Sequence, residues 1–407
     1  MKKYWKNIYH LQLLVNIAIG IYFIFWLDPA VDAEPVTKYT DIIFTGIVLL
    51  LFLLNFIWTK NKYISFSVRW ASIITLPMIF LYFLSGIFDT WSDNFSQHNL
   101  YAAIYMLLIC VLFIPIAETV FKQVISPLGK MISVLFLFVE TVTLGYYDTF
   151  SKLSPIIKAI NDYHVASAVA SFLVFQIILD QKMSLRKLKN PYFSFLILIL
   201  IILFNIWLAF FEQFFGNAHS YAEAFWDWGH NFDPTAFTFF EFNFSNVFRS
   251  LYAGILEEGM RVLNIIMLLV IFKNTKYRLS LSVFISSLIF ALLHFNLLFD
   301  PSRDLISVIQ QVIVVFGVGC LWAVTYLYTG QLWLNVLLHT FFDYIAFSTT
   351  PLAHAALSPL SIYYDGFVEA IFLALIPILF TIFMFFGKRK QTMLDNADQL
   401  IQPQIED

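Results

Sequence analysis

Charge and cysteine are what this sequence has least of. Of its 407 residues, 13% are charged and two are cysteine, Cys110 and Cys320. A soluble domain carries about 25% charged residues, so the composition excludes an ordinary water-soluble fold. Two cysteines, each inside an apolar run, exclude a disulfide framework and a cysteine-based zinc motif; both read as small core residues. A net charge of −3, with no basic patch interleaved with aromatics, leaves no footprint for nucleic acid. No His-Glu-x-x-His helix, no repeat of fixed period and no soluble domain between the apolar runs is found.

What remains is apolar. The chain is 60% hydrophobic and 19% aromatic, with 47 Phe, which suits lipid-facing helices and interfacial belts. A spanning helix needs about 20 mostly apolar residues. Twelve such runs occur, at approximately residues 11–27, 40–58, 67–88, 99–117, 131–147, 163–180, 193–215, 246–272, 280–299, 305–328, 332–349 and 366–387. The fifth and sixth are the weakest. Helices rather than strands are expected, because a helix satisfies its own backbone hydrogen bonds in lipid. The first run follows the basic start MKKYWKN. It reads as a membrane helix, since it is long enough to span and no small-residue cleavage site follows.

Charge supports the count. With connections alternating from an inside N-terminus, 18 of the 24 basic residues fall on the inside set, including Lys2, Lys3 and Lys6 at one end and Lys388, Arg389 and Lys390 at the other. Only Lys38, Lys152, Lys158 and Arg303 fall outside. The fold class expected is therefore all-α: a polytopic transmembrane helix bundle of about 12 spans with both termini cytoplasmic. The longest outside connection, residues 216–245, is aromatic and acidic without Lys or Arg, and reads as an interfacial cap or a solvated loop. The polar tail from 388 to 407 is expected to be disordered or loosely helical.

Three clusters break the apolar pattern: Glu257-Glu258-x-x-Arg261, Phe290-x-x-x-His294 and His339-x-x-x-Asp343. Ionisable groups at bilayer depth are costly and mark function. On a helix, Glu257, Arg261 and Asn264 share a face, and Glu258 points about 100° away. Arg261 is also three residues from Glu258, so either acid can claim it. Asn335, His339 and Asp343 form one stripe at successive i+4 steps, an arrangement in which an acid orients an imidazole. Taken singly, each cluster also suits a structural ion pair or interhelical hydrogen bond. Together, within about ninety residues, they point to one site.

The residue types suggest a reaction class. Burial disfavours the charged form of a carboxylate and a nearby arginine favours it, so such a group can be poised as a general base. It can take a proton from a water attacking a peptide carbonyl, while imidazole shares the water or donates to the oxyanion. No Ser or Cys stands beside the clusters as a nucleophile. The same residues would also serve a proton- or ion-coupled transporter, with Glu140 and Gln310-Gln311 on its path, or a noncatalytic immunity or scaffold protein.

The ordered triplet resembles the motifs of the CAAX-protease and bacteriocin-processing (CPBP, or Abi) family of intramembrane endopeptidases. The resemblance covers about residues 246–349. It implies that Glu257 activates water with His294, that His339 and Asp343 support the oxyanion or the site geometry, and that Glu258 and Arg261 order the first motif. One departure concerns spacing. The family places three residues between the Glu pair and the Arg, and here there are two, Gly259 and Met260. The resemblance divides the chain into N-terminal helices with the aromatic loop (1–245), a catalytic core (246–349), a final transmembrane helix (350–387) and a cytoplasmic tail (388–407). It implies a membrane-associated peptide or protein substrate within a lipid bilayer, in a bacterial plasma membrane, with leader processing or self-immunity as the role. No cofactor is expected. Zinc is the alternative, with Glu257, His294, His339 and Asp343 as its candidate ligands.

Overall fold

The computed structural model describes residues 2–25, 35–57, 61–92, 96–143, 152–180, 183–184, 190–215, 218, 220–232, 238–351 and 366–405. Several basic residues of the inside set (Lys60, Lys182, Arg186, Lys187 and Lys189) and parts of the aromatic loop lie outside the described residues. The chain divides into two compact units, residues 1–180 and 181–407.

The first unit holds α1 (Lys2–Phe25), α2 (Pro35–Ile57), α3 (Lys62–Trp91), α4 (His98–Leu112), α5 (Ile114–Thr119), α6 (Pro127–Thr143), α7 (Pro155–Asp162) and α8 (Val165–Leu179). Helices α1 and α2 pack on each other, α3 on α6, and α4 on α8. Polar groups in this apolar setting find partners across helices. Tyr82 Oη donates to Asp41 Oδ1 at 2.9 Å, and the hydroxyls of Ser85 and Tyr105 lie 2.7 Å apart. Such bonds contribute roughly 0.6 kcal/mol each within membranes. Cys110 is half-buried, with its Sγ 3.7 Å from the Ala166 carbonyl.

The second unit holds α9 (Phe195–Phe215), α10 (Tyr221–Phe225), β1 (Thr238–Phe240), α11 (Phe244–Ile271), α12 (Arg278–Leu293), α13 (Leu305–Thr329), α14 (Leu332–Ser348), β2 (Thr349–Pro351), α15 (Gly366–Met384) and α16 (Gly387–Ile405). Its centre is the packing of α11 on α14. Two ties fix their antiparallel register. Strands β1 and β2 pair antiparallel, Phe240 opposite Thr349. Beside them Asn246 Nδ2, in the first turn of α11, donates to the Phe347 carbonyl at 2.8 Å at the end of α14. Asn243 caps α11 by accepting from the Ser245 N–H. Gly330, at φ 62°, ends α13 in the left-handed conformation and returns its N–H to Tyr326 O at 2.7 Å, the usual reason for glycine at that position.

Gly254 sets how closely α11 approaches α14. A Cβ there would sit 2.5 Å from Thr340 Oγ1 and 3.0 Å from the Val336 carbonyl. Gly254→Ala is expected to cost about 1–3 kcal/mol through overpacking, read as a lower melting temperature in detergent. Gly46→Ala, with nothing within 4 Å of its Cβ, is the matched control and should melt like the wild type.

The described residues of each of the twelve apolar runs are mainly helical. Among the described residues, eight helical segments are long and apolar enough to cross a membrane, nine if the α7–α8 pair, bent by 51° at His164, counts as one span. Of the helices in the twelve runs, those outside that count are α6, α11 and α14. Two of them, α6 and α14, have 17 residues each; α11 has 28 but carries Arg249, Glu257, Glu258 and Arg261. Two of these three, α11 and α14, carry two of the three clusters that broke the apolar pattern. Of the two expectations for the polar tail, disordered or loosely helical, it is helical, but packed rather than loose. It forms α16, which packs on α11, α12 and α13 and buries Met393, Ala397, Leu400 and Ile401, a stripe at helical spacing. Asn396 Nδ2 donates to the carbonyls of Leu327 and Tyr328 at 2.9 Å each, satisfying carbonyls left open at the C-terminal end of α13.

Candidate active site

Midway along α11, Glu258 and Arg261 turn inward and are fully buried. They are paired, Glu258 Oε1 with Arg261 Nη2. Of the two acids, therefore, Glu258 claims the arginine. Spacing permits either acid, Glu257 at i, i+4 or Glu258 at i, i+3, and the structure takes the second. Arg261 Nη1 also lies 3.5 Å from the Gly319 carbonyl of α13. Its guanidinium sits 5.1 Å from the Phe290 ring and 4.8 Å from the Trp322 ring, a desolvated cation between aromatic faces.

Glu258 has no free oxygen. Oε1 also faces His339 Nδ1 at 2.8 Å, and Oε2 accepts from Asn335 Nδ2 at 3.1 Å. Asn335 donates further to the Trp322 carbonyl at 2.8 Å. Asn335 and His339 lie one turn apart on α14, so one acid on α11 engages two successive turns of its neighbour.

His339 is buried and carries the geometry onward. Its Nε2 lies 3.6 Å from Glu257 Oε2 and 3.4 Å from Asp343 Oδ2. Both are longer than an ordinary N–H···O hydrogen bond. Glu257 and Asp343 keep 19% and 17% of their side-chain exposure, against 0% for Glu258, so the partly open acids are on the Nε2 side. A neutral imidazole donates at one nitrogen and accepts at the other. With carboxylates facing both nitrogens, either the ring is protonated or an acid beside Nε2 holds the proton.

His294 ends α12, its Nδ1 3.2 Å from the Phe290 carbonyl. Phe290 packs edge-on to both imidazoles, 5.1 Å from His294 and 6.4 Å from His339. His294 interacts through space with Asp343 and His339, but its one described hydrogen bond stays within α12. Among the described residues, Asn264, on the Glu257–Arg261 face, bonds only within its helix, to Met260 Sδ at 2.9 Å. The structure thus gathers five of the six candidates around His339 and Arg261, with polar separations of 3.6 Å or less, and brings the sixth, His294, alongside. Among the described residues no three of His, Cys, Asp and Glu converge as a metal-binding group. Glu258 occupies one His339 nitrogen, and the His294 Nδ1 is turned to a backbone carbonyl.

Three residues of the site carried no signal of this kind. Trp322, on α13, stacks on His339 with ring centroids 4.0 Å apart at 25°. Asn205, on α9, accepts from Trp322 Nε1 at 3.1 Å. Glu212, two turns further along α9, interacts through space with Asp343, and its Oε2 is shielded without a hydrogen-bond partner among the described residues. Glu212 was visible as an acid near the end of an apolar run. Trp322 and Asn205 are not ionisable and stood out in no pattern.

With this geometry in view, residues 239–345 match the family described as Type II CAAX prenyl endopeptidase Rce1-like. The match falls on the segment that carries the three clusters. That segment is similar to the CAAX-protease family. Neither a curated protein nor a solved structure matches the chain. The family segment runs from β1 to Ile345 near the end of α14, and so takes in Glu257, Glu258, Arg261, His294, His339 and Asp343 while leaving out α9. It bears out the resemblance read from the triplet.

Proposed function

We propose that this chain is an intramembrane endopeptidase that hydrolyses a peptide bond in a small membrane-associated peptide or protein through an activated water. The observation that carries the reading is the contrast between the two adjacent acids. Glu258 is wholly engaged by Arg261, His339 and Asn335, and Glu257, on the open side of His339, keeps its carboxylate available. The chemistry follows from that contrast. Glu257, assisted by His294, takes a proton from water as its oxygen bonds to the peptide carbonyl carbon. The tetrahedral oxyanion is met by an N–H of His339, with Asp343 steadying the same ring nitrogen. Glu257 then returns the proton to the amide nitrogen as the C–N bond breaks. Arg261 and Glu258 hold His339 and do not touch the reacting atoms.

The topology that accompanies this reading has twelve spans and both termini in the cytoplasm, in a bacterial plasma membrane. Nine segments fit by length and composition, and the other three are α6 and the helices α11 and α14 that hold the site. The distribution of basic residues supports the orientation. Leader processing of a bacteriocin or pheromone, or self-immunity, is the biological role that the family likeness favours.

The test is peptidomics of membranes from cells expressing the wild type or Glu257→Gln at matched levels. A defined cut present with the wild type and missing with the variant is the expected result, and it names the substrate. Identical peptide patterns from two folded, equally abundant proteins would overturn the reading in favour of ion-coupled transport or noncatalytic binding.

A further inference from the structure

We propose that α9, outside the family-matched segment, is a working wall of the site: Asn205 pins the Trp322 indole, and the indole sets the plane of the His339 ring. The geometry stands by itself, and its consequence for rate rests on the endopeptidase reading above.

A ring held at one nitrogen is fixed at a point and can still turn about that bond. Glu258 supplies the point, at Nδ1, 2.8 Å away. The plane needs a second constraint, and Trp322 supplies it by stacking at 4.0 Å and 25°. Point and plane together decide where Nε2 is aimed, which here is between Glu257 and Asp343. Stacking orients a partner only if the indole itself cannot tilt. Its Nε1–H is held at 3.1 Å by Asn205 Oδ1. Asn205 is held in turn, because its Nδ2 donates to the Ile201 carbonyl at 2.8 Å within α9, which leaves Oδ1 as the acceptor facing α13. Asn205 and Trp322 are both buried, 4% and 3% exposed, so no solvent competes for either group. The Trp322 carbonyl meanwhile receives Asn335, one turn before His339. One residue of α13 thus fixes α14 at two successive turns, by backbone and by ring.

Asn205 and Trp322 are positioning residues, since neither reaches the reacting atoms. A purely structural hydrogen bond between α9 and α13 is the competing account, and stability separates the two. Asn205→Leu leaves the indole N–H buried without a partner, and Trp322→Phe leaves the Asn205 oxygen so. The double variant removes both polar groups, which restores stability where an orphaned group was the cost. A structural role therefore predicts that activity recovers in the double variant along with melting temperature. Positioning predicts recovery of stability without recovery of kcat.

The experiment uses the full chain reconstituted in nanodiscs, cleaving the peptide found by the membrane peptidomics. Each single variant is expected to lose about ten- to a hundredfold in kcat with KM little changed, the scale of a small misplacement of a catalytic group. The double variant should lose no more than either single one, while melting above them. In parallel, ¹⁵N-histidine spectra, with His339 assigned by its loss in His339→Asn, should show the His339 nitrogen resonances moved in both singles and the double. Wild-type His339 resonances in folded Trp322→Phe would overturn the proposal, with or without a known substrate, as would losses of kcat that multiply in the double variant. If His339 moves as expected but the wild type cleaves no peptide, the brace stands and the endopeptidase reading is what fails. Where Asn205→Leu does not fold, Trp322→Phe carries the spectral test alone, since it keeps an aromatic ring in the same place.

Discussion

Glu257→Gln is expected to give a folded protein whose kcat is lower by about 10²–10⁴-fold, the range assigned to a positioned general acid–base group. Melting temperature should change little. The reason lies in what each side chain touches. Glu257 keeps part of its surface open, and its one described polar partner is His339 Nε2 at 3.6 Å, beyond a direct hydrogen bond. Gln at this position removes the ability to accept a proton and leaves no buried charge unpaired. Glu258→Gln should behave in the opposite way. It removes the countercharge of a fully buried arginine and replaces one of two acceptor oxygens with a donor facing His339 or Asn335, so stability should fall first and activity with it. Measuring kcat and melting temperature for both variants separates the roles. A Glu257→Gln protein that is unfolded, or a Glu258→Gln protein that is stable and merely slow, would reverse the assignment of base and anchor.

The sequence made much of this visible because membrane helices pay for polarity. Long apolar runs mark helices almost regardless of context, and the described residues of all twelve runs are mainly helical. Ionisable groups in such runs are rare enough that three clusters within about ninety residues were a strong signal. Helical spacing also showed that Asn335, His339 and Asp343 share a face, and that Arg261 could serve either acid. It could not say which, because i+3 and i+4 partners are both within reach of a long arginine; that choice depends on where α13 and α14 place Gly319, Asn335 and His339. Nor could it show that the nearest acid to His339 is Glu258 on another helix rather than Asp343 on its own. Asn205 and Trp322 were hidden for a different reason. Neither is costly enough in an apolar helix to stand out, and their meaning is their contact with each other across α9 and α13. The tail from 388 was read from its composition, which is polar, and the stripe of Met393, Ala397, Leu400 and Ile401 that makes it a packed helix was outweighed by its charges.

Arg261→Met carries the second large effect, and it falls on folding. The Glu258–Arg261 pair is buried on both sides, and removing one member of such a pair leaves an uncompensated charge, which costs about 3–5 kcal/mol. The variant should therefore express poorly or melt well below the wild type in detergent. Adding Glu258→Gln to it removes the orphaned charge. The double variant should recover much of the lost stability, since replacing both members of a buried pair is often close to neutral. Cleavage should not return with it. Glu258 is also the hydrogen-bond partner of His339 Nδ1 and Asn335, and a glutamine there presents one oxygen and one N–H₂ where the wild type presents two acceptors. The wild-type arrangement of His339 Nδ1 and Asn335 Nδ2, both turned to Glu258, then cannot be kept on both contacts. If the double variant is both stable and fully active, the pair serves folding alone, and the orientation of His339 must come from Trp322 and α14 without help from α11. If it is stable and slow, the buried charge pair is the means by which α11 fixes the imidazole that Glu257 works beside.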